Sequence, residues 1–428
     1  MKKIIYVVLD GLGDRPCKEF GGKTPLEAAE KPNMNSLLKK AKTGVVYTVG
    51  KGIAPESDVA VISILGYDAH KYYTGRGPLE SYAEGLEVND GDLAFRVNFA
   101  TLGKDNEILD RRVGRNLTTD EASALAKDIN EKVKLTSYPT TFKFKNTIGH
   151  RGILVIYRKD GKKLNAEITN TDPAYDKHGV FGVAKAEFDN FVLEARPTSG
   201  FESDEEAIAA AKLINEFTKK SIEVLNASEI NKRRISEGKL AGNLILSRDA
   251  GDRLPKFPPI HKEYGVKFGC FVEMPVEKGI AILTGMDVVG LPLPTGNLKD
   301  DYTLRARKVI EVINNYGGLY IHIKGPDEPA HDGNALKKKD SIEAIDKFFF
   351  SELLKSIKLE KNIIAITSDH STPCHLKAHS DDPVPLLIAS EGIISDGTAD
   401  FSEKFCAKGS LGELEGKNLM SLFIEFAK

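Results

Sequence analysis

With 428 residues, the chain exceeds the ~250–300 residues at which a single hydrophobic core usually stops growing, so two domains are expected. Hydrophobic residues at 41% and charged residues at 29% exclude a disordered chain. A formal net charge of −2 excludes a global attraction for nucleic acid or acidic lipid, so any anion must be held in a local basic pocket.

The chain opens with MKKIIYVVLDGLGD. Its apolar run Ile4 to Leu9 is too short for an export signal, and no stretch approaches the ~20 apolar residues of a membrane span. Neither export nor a membrane is expected. Cys17, Cys270, Cys374 and Cys406 form no CxxC pair, which argues against a disulfide framework or a cysteine-built zinc module and points to a reducing cytoplasm. The run at 3–9 reads as a parallel strand buried on both faces, with Asp10 at its C-terminal end, the edge where open α/β sheets bind ligands. Gly11 and Gly13 hint at a dinucleotide loop, but position 16 is proline, so that reading is rejected.

GKGIAPESDVAVISILGYD (50–68) places Ser57 at or near a helix N-terminus. One reading makes Ser57 a helix cap. The other makes it a nucleophile whose phosphorylated form rests against free backbone N–H groups. Spacing alone favours the cap, and a neighbouring pair of metal ions would favour the nucleophile.

The middle of the chain differs. Segments 92–102, 151–158, 190–197 and 267–275 are strand-like, while 203–227 and 227–242 are helical. This mixed α+β composition reads as a second domain over 76–284, inserted into a first domain made of 1–75 and 285–428. Arg96 and Asn98, then Asp110, Arg111, Arg112 and Arg115, then His150 and Arg151 offer the fixed cations that a phosphate and a carboxylate require. The competing reading of DRRVGR is an exposed charged turn.

In the last third, LYIHIK (319–324) runs into Gly325-Pro326-Asp327, and NIIAITS (362–368) into Asp369-His370. Helical patterns at Tyr302–Asn315 and Ser341–Ile357 have the length of crossovers. The two ends of the chain therefore form one α/β sheet. Asp327 and His331 share one face of any helical turn that starts there. His379 opens HSDDPVPLLI, which leads into a buried strand, Val384–Ala389. Each piece alone has an ordinary explanation as a cap, a turn or a solvated helix face. Their convergence raises the metal reading, because the chain has only nine histidines and three of them lie at or near strand ends that also carry Asp. Carboxylates mixed with imidazoles suit Mn²⁺ or Zn²⁺ better than Ca²⁺, and Asp10, Asp327, His331, Asp369, His370 and His379 suffice for two ions.

The motifs VVLDGLGDRP, PESDVAVISILGYD, GPDEPAHDG, TSDHSTP and HSDDPVPLLI, in that order, resemble the alkaline phosphatase superfamily. More narrowly they are similar to the cofactor-independent phosphoglycerate mutases of the archaeal type. The resemblance runs from the first strand to the last. It implies an α/β fold, with an alkaline-phosphatase-like core whose mostly parallel sheet is flanked by helices, plus the inserted α+β domain as a substrate-binding lid. It implies interconversion of 3-phosphoglycerate and 2-phosphoglycerate in glycolysis and gluconeogenesis, through phosphoserine on Ser57 and without bisphosphoglycerate. One divalent ion (Mn²⁺, Zn²⁺, Co²⁺ or Mg²⁺) would be held by Asp10, Ser57, Asp369 and His370, and a second by Asp327, His331 and His379. His375 competes for the last position. His379 is preferred because the Asp-Pro-Val-Pro after it resembles the family's final histidine segment. Bacterial relatives use an Arg-Asp pair in the inserted domain, whereas the order here is Asp110-Arg111-Arg112, which leaves the acid/base role of Asp110 open. The expected partner is a small phosphorylated acid, and members of this type are often homo-oligomers. A phosphomonoesterase or phosphopentomutase of the same superfamily, or an inactive ligand-binding sheet, remain the alternatives.

Overall fold

The computed structural model describes residues 1–178, 181–185, 187–292 and 294–428. In chain order the strands are β1 (Lys3–Leu9), β2 (Ala41–Tyr47), β3 (Leu93–Leu102), β4 (Ile108–Asp110), β5 (Thr140–Asn146), β6 (Arg151–Arg158), β7 (Tyr175–His178) and β8 (Phe181–Ala184). There follow β9 (Leu244–Gly251), β10 (Phe268–Phe271), β11 (Asp287–Val288), β12 (Gly318–Ile323), β13 (Asn362–Thr367), β14 (Val384–Ala389) and β15 (Gly412–Glu415). Two compact units result, one made of Met1–Tyr72 with Lys256–Lys428 and the other of Tyr73–Pro255.

The first unit carries an eight-stranded sheet among the described residues, ordered β11-β10-β12-β1-β13-β14-β2-β15. Strands β11 through β13 in that order run parallel, and β14 reverses. β1 sits between β12 and β13, with Leu9 beside Ile323 and Val8 beside Thr367. The residues that follow the three strands therefore leave the sheet at one edge. Ile4 to Leu9 are fully buried, as a β-branched run covered on both faces must be. Helices on the sheet, among them Leu298–Val312 and Ala335–Ala344, close one core with Phe349, Phe350 and Leu353.

The second unit is α+β. β3 pairs with β4, β6 and β9, and β6 with β5, all antiparallel. Helices Thr119–Lys132 and Glu205–Ala227 pack their apolar faces on Phe99, Phe144 and Leu154. The helix Thr119–Lys132 starts with a capping box in which the Thr118 hydroxyl accepts from the Glu121 amide and the Glu121 carboxylate accepts from the Thr118 amide.

Three expectations differ from these elements. The second border lies at Pro255/Lys256 and not near 284/285, because β10 pairs in parallel with β12 and so belongs to the first unit's sheet. Residues 190–197 form no strand and make only isolated bridges, at Phe191 and Pro197. The second helix of the middle region spans Glu229–Ser236 and stops short of 242, where Gly238 has a left-handed φ of 71°.

Candidate active site and metal centre

Asp10 follows β1, Asp327 opens the short helix Asp327–His331 after β12, and Asp369-His370 follow β13. The backbone at this edge is tight. Gly11 has φ 61°, and a Cβ there would meet the Asp327 carboxylate at 2.6 Å, so only glycine lets the two strand ends approach.

Ser57 is the first residue of the buried helix Ser57–Ile64, and Glu56 takes the capping position. That placement takes Ser57 out of the capping position. Its Oγ lies 3.1 Å from His370 Nε2 instead of closing a cap. His370 Nε2 also lies 3.4 Å from Asp10 Oδ1 and 3.3 Å from Asp369 Oδ2. Across the site, His331 Nε2 lies 3.2 Å from His379 Nε2 and 3.4 Å from Asp327 Oδ2, and His379 Nε2 lies 3.8 Å from Asp327 Oδ1. The His370 and His379 rings stack at 3.7 Å. His375 stays exposed in the same loop. The structure thus brings Asp10, Ser57, Asp327, His331, Asp369, His370 and His379 to one place.

The hydrogen bonds around the rings fix which nitrogen is bare. His331 Nδ1 lies 2.9 Å from the Lys377 carbonyl, and His379 Nδ1 lies 2.8 Å from the Pro55 carbonyl. Carbonyls only accept, so in each neutral ring Nδ1 carries the hydrogen and Nε2 offers a lone pair. For His370 the same result comes through Thr372. Its one hydroxyl hydrogen goes to Asp327 Oδ1 at 2.8 Å, so the contact of 3.0 Å with His370 Nδ1 needs the hydrogen on the ring. Burial, then His379, pushes His370 down to about 3, which keeps its Nε2 unprotonated. Burial raises the Asp369 carboxyl well above the usual range, with Asp10 adding to it. Burial also acts to raise Asp10, but Lys324 and His322 outweigh it and hold Asp10 low.

Lone pairs of Asp10, Asp369 and His370 therefore crowd together, while the Asp327 contact raises His331 to about 9, so that ring keeps a hydrogen toward Asp327 or His379 unless a cation replaces it. Asp10 Oδ1 and Asp369 Oδ2 are buried without a hydrogen-bond partner. Buried acceptors in this arrangement are costly unless a cation joins them. Ligand atoms of Asp10, Asp369 and His370, and separately of Asp327, His370 and His379, lie within 4.8 Å of one another. This N/O donor set fits divalent first-row ions.

Sequence reasoning missed Glu277, His322, Lys324 and Thr372 at this site. His322 Nε2 lies 3.7 Å from Asp10 and 3.6 Å from Asp369. Lys324 pairs with Asp10 and Glu277. Their signal was legible, since two polar residues at a spacing of two, at the end of an otherwise apolar strand, share one face.

The second unit carries a separate basic cluster. Arg96 and Asn98 lie on β3, with Asn98 opposite Arg151 of β6. Arg76 bonds Glu80 at 2.6 Å, and Arg96 lies 3.8 Å from the same carboxylate with its Nε lacking a hydrogen-bond partner. Arg111 is engaged, because its fork binds Asp172 through two bonds of 3.0 and 2.7 Å. Asp110 accepts from the Arg112 amide at 2.7 Å. Asp110, Arg111, Arg112 and Arg115 line a shallow, open pocket of 290 Å³ with Ile108, Leu109 and Asn190, and Arg112 and Arg115 are exposed, as a charged turn would be. Burial, then Arg151 and Arg112, depress His150 to about 4. Arg248, missed in the sequence, is buried over the Tyr175 ring at 3.5 Å. It precedes Asp249 in SRDAG, the Arg-Asp order that residues 110–112 lack, and Asp249 has φ 55° where β9 bulges against β3.

Residues 39–231 match the family described as 2,3-bisphosphoglycerate-independent phosphoglycerate mutase. A protein of that name from Aeropyrum pernix is 42% identical over 97% of this chain and 96% of its own length. One from Thermococcus kodakarensis is 39% identical over 99% and 97%. Among solved structures, the PH0037 protein from Pyrococcus horikoshii superposes with a TM-score of 0.78 at 31% identity, covering 100% of this chain and 97% of its own. The cofactor-independent phosphoglycerate mutase of Thermoplasma acidophilum superposes with 0.63 at 31% identity, covering 100% of both chains.

Proposed function

The chain belongs to the 2,3-bisphosphoglycerate-independent phosphoglycerate mutases, and from that premise we propose that Ser57 carries the phosphoryl group between the 3- and 2-hydroxyls of glycerate. The observation that supports this most is the pairing of Ser57 Oγ with the bare Nε2 of His370, beside the unpartnered oxygens of Asp10 and Asp369.

Two divalent ions, manganese being well suited to the donor set, would be held by Asp10, Ser57, Asp369 and His370, and by Asp327, His331 and His379. Bound there, such ions supply a lowered hydroxyl pKa and charge opposite the phosphoryl oxygens. The chain's own residues do the rest. The helix beginning at Ser57 presents its hydroxyl at the helix N-terminus, the end whose dipole favours an anion. The Oγ–P bond forms as the substrate P–O bond breaks, and the proton that Ser57 gives up matches the one the departing glycerate oxygen needs. The reverse step, on the other hydroxyl, restores both. Fixed side chains around a reactive phosphoserine contribute by positioning and by excluding water.

The carboxylate of glycerate is assigned to the second unit's basic cluster, with Arg96, Arg151 and the pocket at Arg112 and Arg115 as binding groups, Asn98 and His150 as neutral donors, and Arg111 held in place by Asp172. Four free buried cysteines, together with the absence among the described residues of a helix long and apolar enough to cross a membrane, suit the cytoplasm. The test is to supply 3-phosphoglycerate with Mn²⁺ and measure both products. Formation of 2-phosphoglycerate without bisphosphoglycerate is expected, and release of phosphate with no isomer would overturn the mutase reading.

A further inference from the structure

We propose that Lys324 is a tethered cation filling a pocket that would otherwise bind a third divalent ion between Asp10, Glu277 and His322. This rests on the two-ion reading above and extends it. The three side chains are buried, and their ligand atoms lie within 4.8 Å of one another. Glu277 comes from the helix Pro275–Leu283. One of its oxygens meets Lys324 Nζ at 2.8 Å, while the other, Oε2, is buried without a hydrogen-bond partner. His322, 1% exposed, is held through Nδ1 by the Tyr320 hydroxyl at 3.0 Å. Its Nε2 points at Asp10 Oδ2 from 3.7 Å and is also unpartnered. One carboxylate oxygen and one imidazole nitrogen thus remain unused around a site where a single ammonium faces two carboxylates.

Two consequences follow for the chemistry. Lys324 takes Asp10 Oδ2, so only Oδ1 is left for an ion beside His370, and that ligand is confined to one oxygen. An ammonium also brings charge without a bound water of lowered pKa, the nucleophile that a divalent ion would supply. The pocket then stabilises Asp10 without placing a hydroxide near the phosphoserine, which favours return of the phosphoryl group to glycerate over its loss to water.

The decisive measurement is the number of metal ions per chain after loading with Mn²⁺ and desalting. Lys324→Ala is expected to hold one ion more than the wild type, and Lys324→Ala with Glu277→Gln to return to the wild-type number. Glu277→Gln alone should leave the number unchanged. The same number in Lys324→Ala as in the wild type overturns the proposal, and so does loss of an ion in Glu277→Gln, which would mean the pocket is already occupied. Should Lys324→Ala unfold when stripped of metal, recovery of its wild-type Tm in Mn²⁺ supports the pocket, and no recovery overturns it. A second readout is partition, since Lys324→Ala should release more phosphate per isomer formed. The wild-type number itself tests the two-ion reading separately, because the proposal depends on the increment and not on the total.

Discussion

The two charged clusters of this molecule are unbalanced in opposite senses. In the first unit, carboxylates and bare imidazole nitrogens face each other, with Asp10 Oδ1, Asp369 Oδ2 and His322 Nε2 unpartnered. In the second, guanidinium groups crowd a few carboxylates, and burial, then their field, depress His150 to about 4. The first cluster is stabilised by cations and the second by an anion. Phosphate held through metal ions would suit the first, and a carboxylate would suit the second. A net charge of −2 conceals two strong local fields of opposite sign.

Ser57→Ala breaks the comparison most severely, because it removes the only atom proposed to form a covalent bond. Turnover of 3-phosphoglycerate should fall by ~10⁴-fold or more, with circular dichroism unchanged. Full activity in that variant would rule out the phosphoserine route. Chelation should abolish activity and lower the Tm by several degrees, of the order expected when a ligand that binds only the folded state is withdrawn. Mn²⁺ should restore both, and a chelator-resistant Tm would leave the orphan acceptors unexplained.

Arg96→Met should reduce kcat/KM by roughly 100-fold through loss of a charge-assisted contact, with metal content unaltered. A drop in metal content instead would show that the two clusters are not chemically separate. Thr372→Val should weaken metal binding by ~10-fold, because His370 and Asp327 both lose the hydroxyl that orients them; titration calorimetry with Mn²⁺ measures this. The smallest effect concerns His150. Its folded value is depressed from 6.5 to about 4, so between those values the unfolded chain binds the extra proton. This contribution to stability is complete above about pH 6.5 and is lost as pH falls towards about 4. His150→Gln should show a flatter Tm profile across that window, and an identical slope in both proteins would exclude the effect.

The first cluster was more legible in the sequence than the second, and the reason is physical. Its ligands follow directly on buried apolar strands, at Asp10, Asp327 and Asp369, and parallel pairing places such ends at one edge. Histidine is also scarce in this chain, so its recurrence there was informative. His322 and Lys324 escaped because they lie inside the strand motif, where polar residues were read as part of the strand. The second cluster draws Arg76, Arg96, Arg151 and Arg248 from segments far apart in sequence, joined by antiparallel pairings whose register no local pattern announces. DRRVGR stood out because its charges are contiguous, yet Arg111 there is committed to Asp172. The border of the inserted unit was misplaced because β10, the short run FGCF, carries no sign of the sheet it joins.

The central position of β1 has a consequence for how the protein is made. Asp10 and Ser57 leave the ribosome early, but β1 pairs with β12 and β13, some 300 residues later. At the ~5–20 residues per second of translation, the first two groups wait on the order of tens of seconds for Asp327, Asp369 and His370. Over that interval the Tyr73–Pro255 unit can complete its own core, while the flanking segments have no sheet to join. Asp10 and Ser57 thereby meet the other candidate ligands only when synthesis is nearly finished.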